Sequence, residues 1–187
     1  MKVSGARSNR VRIIGGQWRR RLLAFPSAAE LRPTPDAVRE TLFNWLGQTM
    51  EGQACLDLFA GSGALGFEAL SRGARLAVMV EADPRAFKAL RANAGVLEAQ
   101  NVELVGDDAL KFLARDQRVF DVIFLDPPYA KELLPGLLPL IPPHLSDDGF
   151  VYVEDDSPLA PPAGWEAWRS GRAGKAYYYL LKKNQHA

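Results

Sequence analysis

The amino-acid sequence predicts an α/β fold in which a mostly parallel sheet carries helices on both faces. Two observations predict it. From residue 54 onward, short runs rich in β-branched and aromatic residues alternate with segments whose apolar residues recur at helical spacing. Strands that alternate with helices are joined by right-handed crossovers, which makes successive strands parallel. The predicted parallel strands are CLDLF, RLAVMVE, NVELVG, VFDVIFLD and GFVYVED.

The N-terminal segment lacks this alternation. The runs VRII (11–14) and RRLLAF (20–25) flank Gly15 and Gly16, which predicts a β-hairpin that turns at the two glycines. A loop containing LRPTP follows. We therefore predict that residues 1–35 form a hairpin extension ahead of the main domain.

The main domain is predicted to span residues 36–187. Apolar residues at helical spacing predict an amphipathic helix over residues 36–47, capped by Thr34 and ended near Gly47. At the other end of the chain, WEAWRS and KAYYYLLKK predict a final pair of strands joined by a glycine-containing turn.

Charge is distributed unevenly along a chain whose bulk composition is ordinary for one globular domain. Residues 1–39 hold nine Lys or Arg against two acids, a charge of +7, whereas the remainder holds fourteen against twenty, a charge of −6. Arg19, Arg20 and Arg21 follow Trp18, an aromatic ring on which a base could stack. Because Lys and Arg neutralise phosphates, this basic segment favours a nucleic-acid partner over a merely solvated charged face.

Several classes of protein are not favoured. No apolar stretch reaches the eighteen or so residues of a membrane-spanning helix, and the basic N-terminus lacks the apolar segment of a secretory signal, so we predict a cytoplasmic protein with no membrane partner. Cys55 is the single cysteine and is predicted to be a small core residue. His144 and His186 have no companion at ligand spacing, so no metal site is predicted, and His144 is expected at the surface.

Polar residues stand where four of the predicted strands end. In an open α/β sheet, ligands bind beyond the carboxyl ends of the strands, so these residues should lie together. Each feature alone has a structural explanation: a tight turn needs glycine for steric reasons, and Asp108 could cap a helix. Polar residues at four strand ends that meet at one edge of the sheet favour a cofactor that contains a nucleoside. The residues are Gly61, Gly63 and Gly66 in a G-x-G-x-x-G pattern, Glu81 twenty residues beyond Gly61, Asp107 with Asp108, and Asp126.

Two cofactors suit that edge, a nicotinamide dinucleotide and S-adenosylmethionine, since Glu81 could accept hydrogen bonds from either ribose. Two features favour S-adenosylmethionine. The first is Asp57, near the end of the first strand, which could accept hydrogen bonds from the ammonium group of a methionine moiety. A dinucleotide site would more usefully have an apolar residue at this position. The second feature is the stretch DPPY at residues 126–129, for which a hydride transferase has no evident use.

The DPPY stretch suits methylation of an exocyclic amine, whose lone pair is delocalised into the ring. Asp126 could accept one N–H and a carbonyl near Pro127 the other, which returns electron density to the nitrogen. Pro127 and Pro128 would fix the loop, and Tyr129 offers a face on which an unpaired base could stack. The alternative is that the prolines merely end a strand and the tyrosine packs nearby.

Four segments in this order resemble the RsmD family, bacterial methyltransferases that act on guanine N2 of small-subunit ribosomal RNA. They are RIIGGQWRRRLLAFP, LRPTPDAVRETLFNWLG, DLFAGSGALGFEALSRGA and DVIFLDPPY, within residues 11–182. The glycine loop and DPPY occur in many methyltransferases, whereas RIIGG and RPTPDAVRE are more specific. The resemblance implies a Rossmann-like sheet of seven strands with S-adenosylmethionine as cofactor.

The resemblance also assigns roles to residues of this chain. Which of Asp107 and Asp108 meets the adenine stays open, and Arg39, beside Glu40 on a helix, could equally form a surface ion pair. The implied cofactor residues are Asp57, Phe59, Gly61, Ser62, Gly63, Glu81, Asp108 and Ala109. The implied catalytic residues are Asp126, Pro127, Pro128 and Tyr129. The implied RNA-facing residues are Arg10, Arg12, Arg19, Arg20, Arg21, Arg32 and Arg39. Of these, Arg32 and Arg39 would lie near the site entrance, together with Thr34.

The resemblance thus implies methyl transfer from S-adenosylmethionine to N2 of one guanine in 16S rRNA, with S-adenosylhomocysteine as product. The substrate would be 16S rRNA within an assembling small subunit, and the enzyme a monomer. Two alternatives remain: methylation of another exocyclic amine, in DNA adenine or protein glutamine, and an RNA chaperone that binds nucleotides without chemistry.

Overall fold

A computed structural model of the chain describes residues 9–26, 33–128 and 130–184. Its elements, in chain order, are β1 (Asn9–Arg12), β2 (Leu22–Phe25), α1 (Asp36–Trp45), β3 (Ala54–Asp57), α2 (Ala64–Ser71), β4 (Leu76–Val80), α3 (Pro84–Val96), β5 (Val102–Val105), α4 (Ala109–Arg115), β6 (Phe120–Leu125), α5 (Ala130–Leu137), β7 (Leu145–Asp155), β8 (Trp165–Ala173) and β9 (Ala176–Lys183). Two short 3₁₀ turns, Leu138–Leu140 and Pro142–His144, join α5 to β7.

Seven strands form one sheet in the order β5-β4-β3-β6-β7-β9-β8. The first five of these strands are mutually parallel. At one edge of the sheet, β9 pairs antiparallel with β7, and β8 pairs antiparallel with β9. The prediction of a mostly parallel seven-stranded sheet is confirmed, as are the N-terminal hairpin and the final strand pair. Strand order reverses at β3, which pairs with β4 on one side and β6 on the other. Such a reversal opens a crevice at the carboxyl ends of the two strands.

Apolar residues cover both faces of the sheet, as alternation along buried strands requires. On one face, Val122 and Phe124 of β6 pack with residues of the hairpin and of α1, α2 and α3. On the other face, Ile123 and Leu125 pack with α4 and α5. Cys55 is fully buried in the first of these layers, as predicted.

The two glycines of the N-terminal hairpin lie against α2, and the reversal extends over the whole segment between β1 and β2. Gly16 has a φ of +75°, and a Cβ there would lie 1.8 Å from the carbonyl oxygen of Ser71. Glu68 of α2 accepts hydrogen bonds from the backbone N–H groups of Ile14 and Gly15, both at 2.8 Å. The glycines therefore permit close approach of the hairpin to α2, which a turn prediction alone does not capture.

Two expectations about side chains outside the sheet are wrong. Pro35 occupies the N-cap position of α1, and the hydroxyl of Thr34 contacts carboxylates of the sheet instead of capping the helix. His144 is buried, with Nδ1 3.3 Å from the carbonyl oxygen of Arg118. In the described ranges, no helix is long and apolar enough to cross a membrane.

Candidate active site

A cavity of about 540 Å³ opens at the carboxyl edge of the sheet, beside the point where strand order reverses. This volume falls in the range usual for small-ligand sites. Its lining gathers most residues that the sequence nominated. The residues predicted for the cofactor site or for catalysis that line the cavity are Asp57, Phe59, Gly61, Ser62, Glu81, Asp108, Ala109, Asp126, Pro127 and Pro128. Gly63 is not among the lining residues, and Tyr129 lies outside the described residues.

The loop between β3 and α2 forms one wall and depends on glycine for its shape. Gly63 has a φ of +84°, and a Cβ there would lie 2.4 Å from the ring of Phe67. A Cβ on Gly66 would lie 2.5 Å from the side chain of Met79, so this residue lets α2 pack closely on β4. Both glycines therefore have a structural role that does not depend on a ligand.

Glu81 follows β4 and holds the glycine loop directly. Its Oε2 accepts the N–H of Gly61 and its Oε1 accepts the N–H of Asp83, both at 2.8 Å. A carboxylate can accept about four hydrogen bonds, so both oxygens retain capacity for a hydroxyl in the cavity. The side chain thus fixes the backbone of the loop and still presents acceptors to a ligand.

Asp57, at the end of β3, is 2% exposed. Burial is the main reason that the pKa of Asp57 rises to about 7, and the charge of Glu81 adds to the shift. Hydrogen bonds from the N–H groups of Phe59 and Gly66 oppose the shift in pKa. Because burial disfavours the ionised form, a cationic ligand group beside Asp57 would be strongly stabilising.

Asp126 follows β6, the strand next to β3, and also lines the cavity. Desolvation raises the pKa of Asp126 well above its usual value, and the charges of Glu154 and then Asp57 raise it further. A hydrogen bond with Thr34, whose Oγ1 lies 3.3 Å from Oδ2, lowers the pKa in part. Pro127 is buried and Pro128 exposed, which fixes one side of the turn within the protein.

Two further residues lie beside Asp126, and one of them, Glu154, was missed by the sequence analysis. Glu154 stands near the end of β7, which pairs in parallel with β6, so it lies beside Asp126. Thr34 connects the two carboxylates, because its hydroxyl oxygen is also 2.7 Å from Oε1 of Glu154. The strand-end reasoning that nominated Asp126 would have found Glu154. For Thr34, the family resemblance implies a place near the site entrance, and Thr34 lines the cavity, although its hydroxyl does not cap the helix.

The two adjacent acids after β5 both have partners within the chain. Asp108 caps α4 by accepting the N–H groups of Leu110 and Lys111 at 2.9 and 3.1 Å. Asp107 accepts the N–H of Asp108, which lowers the pKa of Asp107, and it also pairs with Arg115. Both acids line the cavity, so which of them meets a ligand stays a prediction.

Five of the predicted RNA-facing arginines are exposed on the hairpin and its connecting segment. They are Arg10, Arg12, Arg19, Arg20 and Arg21. Arg12 pairs with Asp36 at 2.5 Å, and Arg21 donates to the carbonyl of Val96 at 2.7 Å, so these two are partly engaged. Arg32 lies outside the described residues.

Arg39 contradicts its assignment as an RNA-facing residue. Its side chain is fully buried, so it cannot reach a phosphate, and it is not part of a surface ion pair either. The guanidinium pairs with Asp36 at 2.6 Å and with Glu68 at 3.5 Å, and donates to the carbonyl of Thr34 at 3.2 Å. Arg39 therefore joins α1 to α2 and supports the segment that holds Thr34 at the cavity. Among the described residues, no cluster of His, Cys, Asp and Glu could hold a metal ion.

Comparisons with known proteins agree with this architecture. A family model described as "Conserved hypothetical protein 95" matches residues 11–182. Ribosomal RNA small subunit methyltransferase D of Escherichia coli K12 is 41% identical, covering 97% of this chain and 94% of the relative. The protein of the same name from Haemophilus influenzae is 40% identical, covering 92% of this chain and 93% of that relative.

Solved structures give the same picture. The structure of a putative methyltransferase, yhhF, from Escherichia coli superimposes with a TM-score of 0.85 at 42% identity, covering 94% of this chain and 98% of that chain. The structure of the putative methylase HI0767 from Haemophilus influenzae gives 0.77 at 37% identity, covering 94% and 99%. With a family model over nearly the whole chain and full-length relatives at this identity, the chain belongs to the RsmD family.

Proposed function

We propose that this protein transfers a methyl group from S-adenosylmethionine to the exocyclic N2 of a guanine in 16S rRNA. One observation carries the proposal. Asp126, at the start of DPPY, lines the same cavity as Asp57 and the glycine loop, at the edge where strand order reverses, and β6 pairs with the strand that ends in Asp57. This arrangement places an amine acceptor in the same cavity as the groups suited to a nucleoside with a cationic amino-acid moiety.

The cavity residues fit the cofactor chemically. Asp57 is a buried carboxylate with a raised pKa, so it would hold the ammonium group of the methionine moiety. Glu81 would accept hydrogen bonds from the ribose hydroxyls, and Asp108 with Ala109 would border the adenine. Phe59, Gly61, Ser62 and Gly63 would complete the site. The bound cofactor supplies a methyl group on a positively charged sulfur.

Asp126 would bind the amine that receives the methyl group. A carboxylate that accepts an N–H hydrogen bond returns electron density to the nitrogen, and the effect is strongest in a desolvated site. Pro127 and Pro128 would hold the acceptors of the turn in place, so that the amine approaches to within about 3 to 3.5 Å of the methyl carbon. Tyr129 would stack on the base.

Ribosomal RNA is the proposed substrate because the full-length relatives are named ribosomal RNA small subunit methyltransferases. The exposed arginines of the hairpin segment support a polyanionic partner, since they form a basic surface on the part of the chain that carries the positive charge. We expect the substrate to be an assembling small subunit in the cytoplasm, and the enzyme to act as a monomer.

The test is incorporation of labelled methyl from S-adenosylmethionine into small-subunit RNA and 30S particles from cells that lack the gene. We expect one guanine to acquire a methyl group on N2, which mapping of the modified base would reveal. The Asp126→Asn variant serves as the control. Label in DNA or protein would favour the alternative amines, and cofactor binding without transfer to any substrate would favour an RNA chaperone.

A further inference from the structure

A second carboxylate, which the proposed reaction does not use, lies next to Asp126 at the end of the neighbouring strand β7. Glu154 is half-buried near the end of β7, and its Oε1 accepts a hydrogen bond from the hydroxyl of Tyr152 at 2.5 Å. Tyr152 is fully buried under α1, where its ring packs on Phe124. The carboxylate of Glu154 is thus held by a rigid partner, so its position beside Asp126 is fixed by the fold.

Thr34 links the two carboxylates, and its distances to them are unequal. Its oxygen lies 2.7 Å from Oε1 of Glu154 and 3.3 Å from Oδ2 of Asp126. A hydroxyl has one hydrogen, and 2.7 Å is the usual O–H···O distance, so the hydrogen points to Glu154. Once Asp126 is protonated, a lone pair of the same oxygen can accept its hydrogen, whereas an ionised Asp126 can only accept a hydrogen bond from the Thr34 hydroxyl. Asp126, Thr34 and Glu154 therefore form a chain of hydrogen bonds that leads from the cavity to the end of β7.

We propose that Thr34 and Glu154 relay the proton that the target amine loses during methyl transfer, with Asp126 as its first acceptor. This inference rests on the proposed function. In the step, the nitrogen lone pair forms the N–C bond while the C–S pair returns to sulfur, leaving a neutral thioether. The amine then gives one proton to Asp126. Asp126 donates it to the oxygen of Thr34 as Thr34 passes its own hydrogen to Glu154, which releases it to solvent.

The surroundings of Asp126 make such a path useful. The titratable groups that act on Asp126 from neighbouring elements are Glu154 on β7 and Asp57 on β3, and Tyr152 lies behind Glu154. These groups and burial disfavour a lasting negative charge on Asp126, so it takes up a proton readily. Without an onward acceptor, Asp126 would stay neutral and could not polarise the next amine as effectively. Thr34 and Glu154 would restore the carboxylate.

The experiment compares wild type with Glu154→Gln in single-turnover methylation across pH. Removing the negative charge should lower the pKa of Asp126 and move the acid limb of the rate profile to lower pH. The rate on the plateau should fall about 10²-fold, the lower end for loss of a proton-transfer group. Affinity for S-adenosylmethionine, measured by calorimetry, should stay within about twofold. Glu166→Gln, which removes an exposed carboxylate paired with Lys182 on the same sheet, should change none of these quantities.

Two further measurements keep the test independent of activity and of one variant's folding. A ¹³C NMR titration of the Asp126 carboxyl in cofactor-free protein should show the same lowering of pKa in Glu154→Gln. Thr34→Val should slow transfer about as much as Glu154→Gln, while Thr34→Ser, which keeps the hydroxyl, should recover most of the rate. An unmoved acid limb together with a plateau near wild type would overturn the relay alone, as would equal rates for the Val and Ser variants. If wild type transferred no methyl to RNA, the proposed function would fail and the relay with it.

Discussion

The Asp57→Asn substitution should stabilise the cofactor-free protein while removing cofactor binding. The pKa of Asp57 is 3.8 in the unfolded chain and about 7 in the folded chain. Between these values the folded state binds more protons than the unfolded state, so this residue's contribution makes stability fall as pH rises. Three pKa units correspond to about 4 kcal/mol of destabilisation at pH 8, and to about 2 kcal/mol at pH 5.

Asparagine carries no charge to desolvate, so the variant should escape this penalty. Its amide N–H₂ is buried without a designed acceptor, which costs about 1–3 kcal/mol, but that cost is the same at both pH values. The free energy of unfolding of Asp57→Asn, relative to wild type, should therefore rise by about 2–3 kcal/mol between pH 5 and pH 8. Denaturant unfolding of the cofactor-free proteins at the two pH values measures this difference.

The exposed Asp148 provides the control, because Asp148→Asn should change the unfolding free energy by no more than about 0.5 kcal/mol at either pH. A relative stability of Asp57→Asn that is independent of pH would refute the raised pKa. Calorimetry should show that the same variant has lost most of its affinity for S-adenosylmethionine. Wild-type affinity should weaken below about pH 7, as Asp57 becomes protonated.

Three further substitutions test the remaining roles. Asp126→Ala should leave the affinity for S-adenosylmethionine nearly intact and slow turnover about 10²- to 10³-fold, and a rate like that of wild type would exclude Asp126 from the chemistry. Glu81→Ala should raise the dissociation constant for S-adenosylmethionine, both by losing ribose contacts and by freeing the N–H of Gly61, so an unchanged constant would remove it from the cofactor site. Replacing Arg19, Arg20 and Arg21 together by Gln should reduce the slope of log affinity for RNA against log salt by about 0.9 for each lost phosphate contact, and an unaltered slope would indicate a merely solvated surface.

The sheet could be predicted from sequence because its signal is local. Alternating strand-like and helix-like runs fix the parallel arrangement, and the polar residues at the strand ends then fall on one edge wherever the helices pack. The rule that ligands bind at strand ends predicts Glu81, Asp57 and Asp126 as site residues from the sequence alone, and all three line the cavity. The exact ends of the strands were less certain, since β7 begins at Leu145, earlier than the run that predicted it.

The misassigned residues depend on partners far away in sequence. Arg39 beside Glu40 suggests an exposed helix face, but its buried partner Glu68 lies 29 residues away. Thr34 before Pro35 suggests a helix cap, yet its hydroxyl contacts Glu154, 120 residues away. Local spacing carries no information about these contacts, because they exist only once α1 has packed on the sheet.

Glu68 and Asp57 are buried and Asp126 is half-buried, and these three acids differ in the partners that the fold gives them. Glu68 is fully buried, yet it accepts hydrogen bonds from two backbone N–H groups and from Arg39 and Arg72, so its charge is compensated within the protein. Among the described residues, the charges that act on Asp57 and Asp126 are only those of other acids. Burying a charge without a cation costs stability, so such residues persist where a ligand completes them. The ammonium group of a bound cofactor would provide the positive charge that Asp57 lacks, and the N–H of a bound amine would donate a hydrogen bond to Asp126. Glu68 therefore stabilises the architecture, whereas Asp57 and Asp126 are the acids that we propose take part in the reaction.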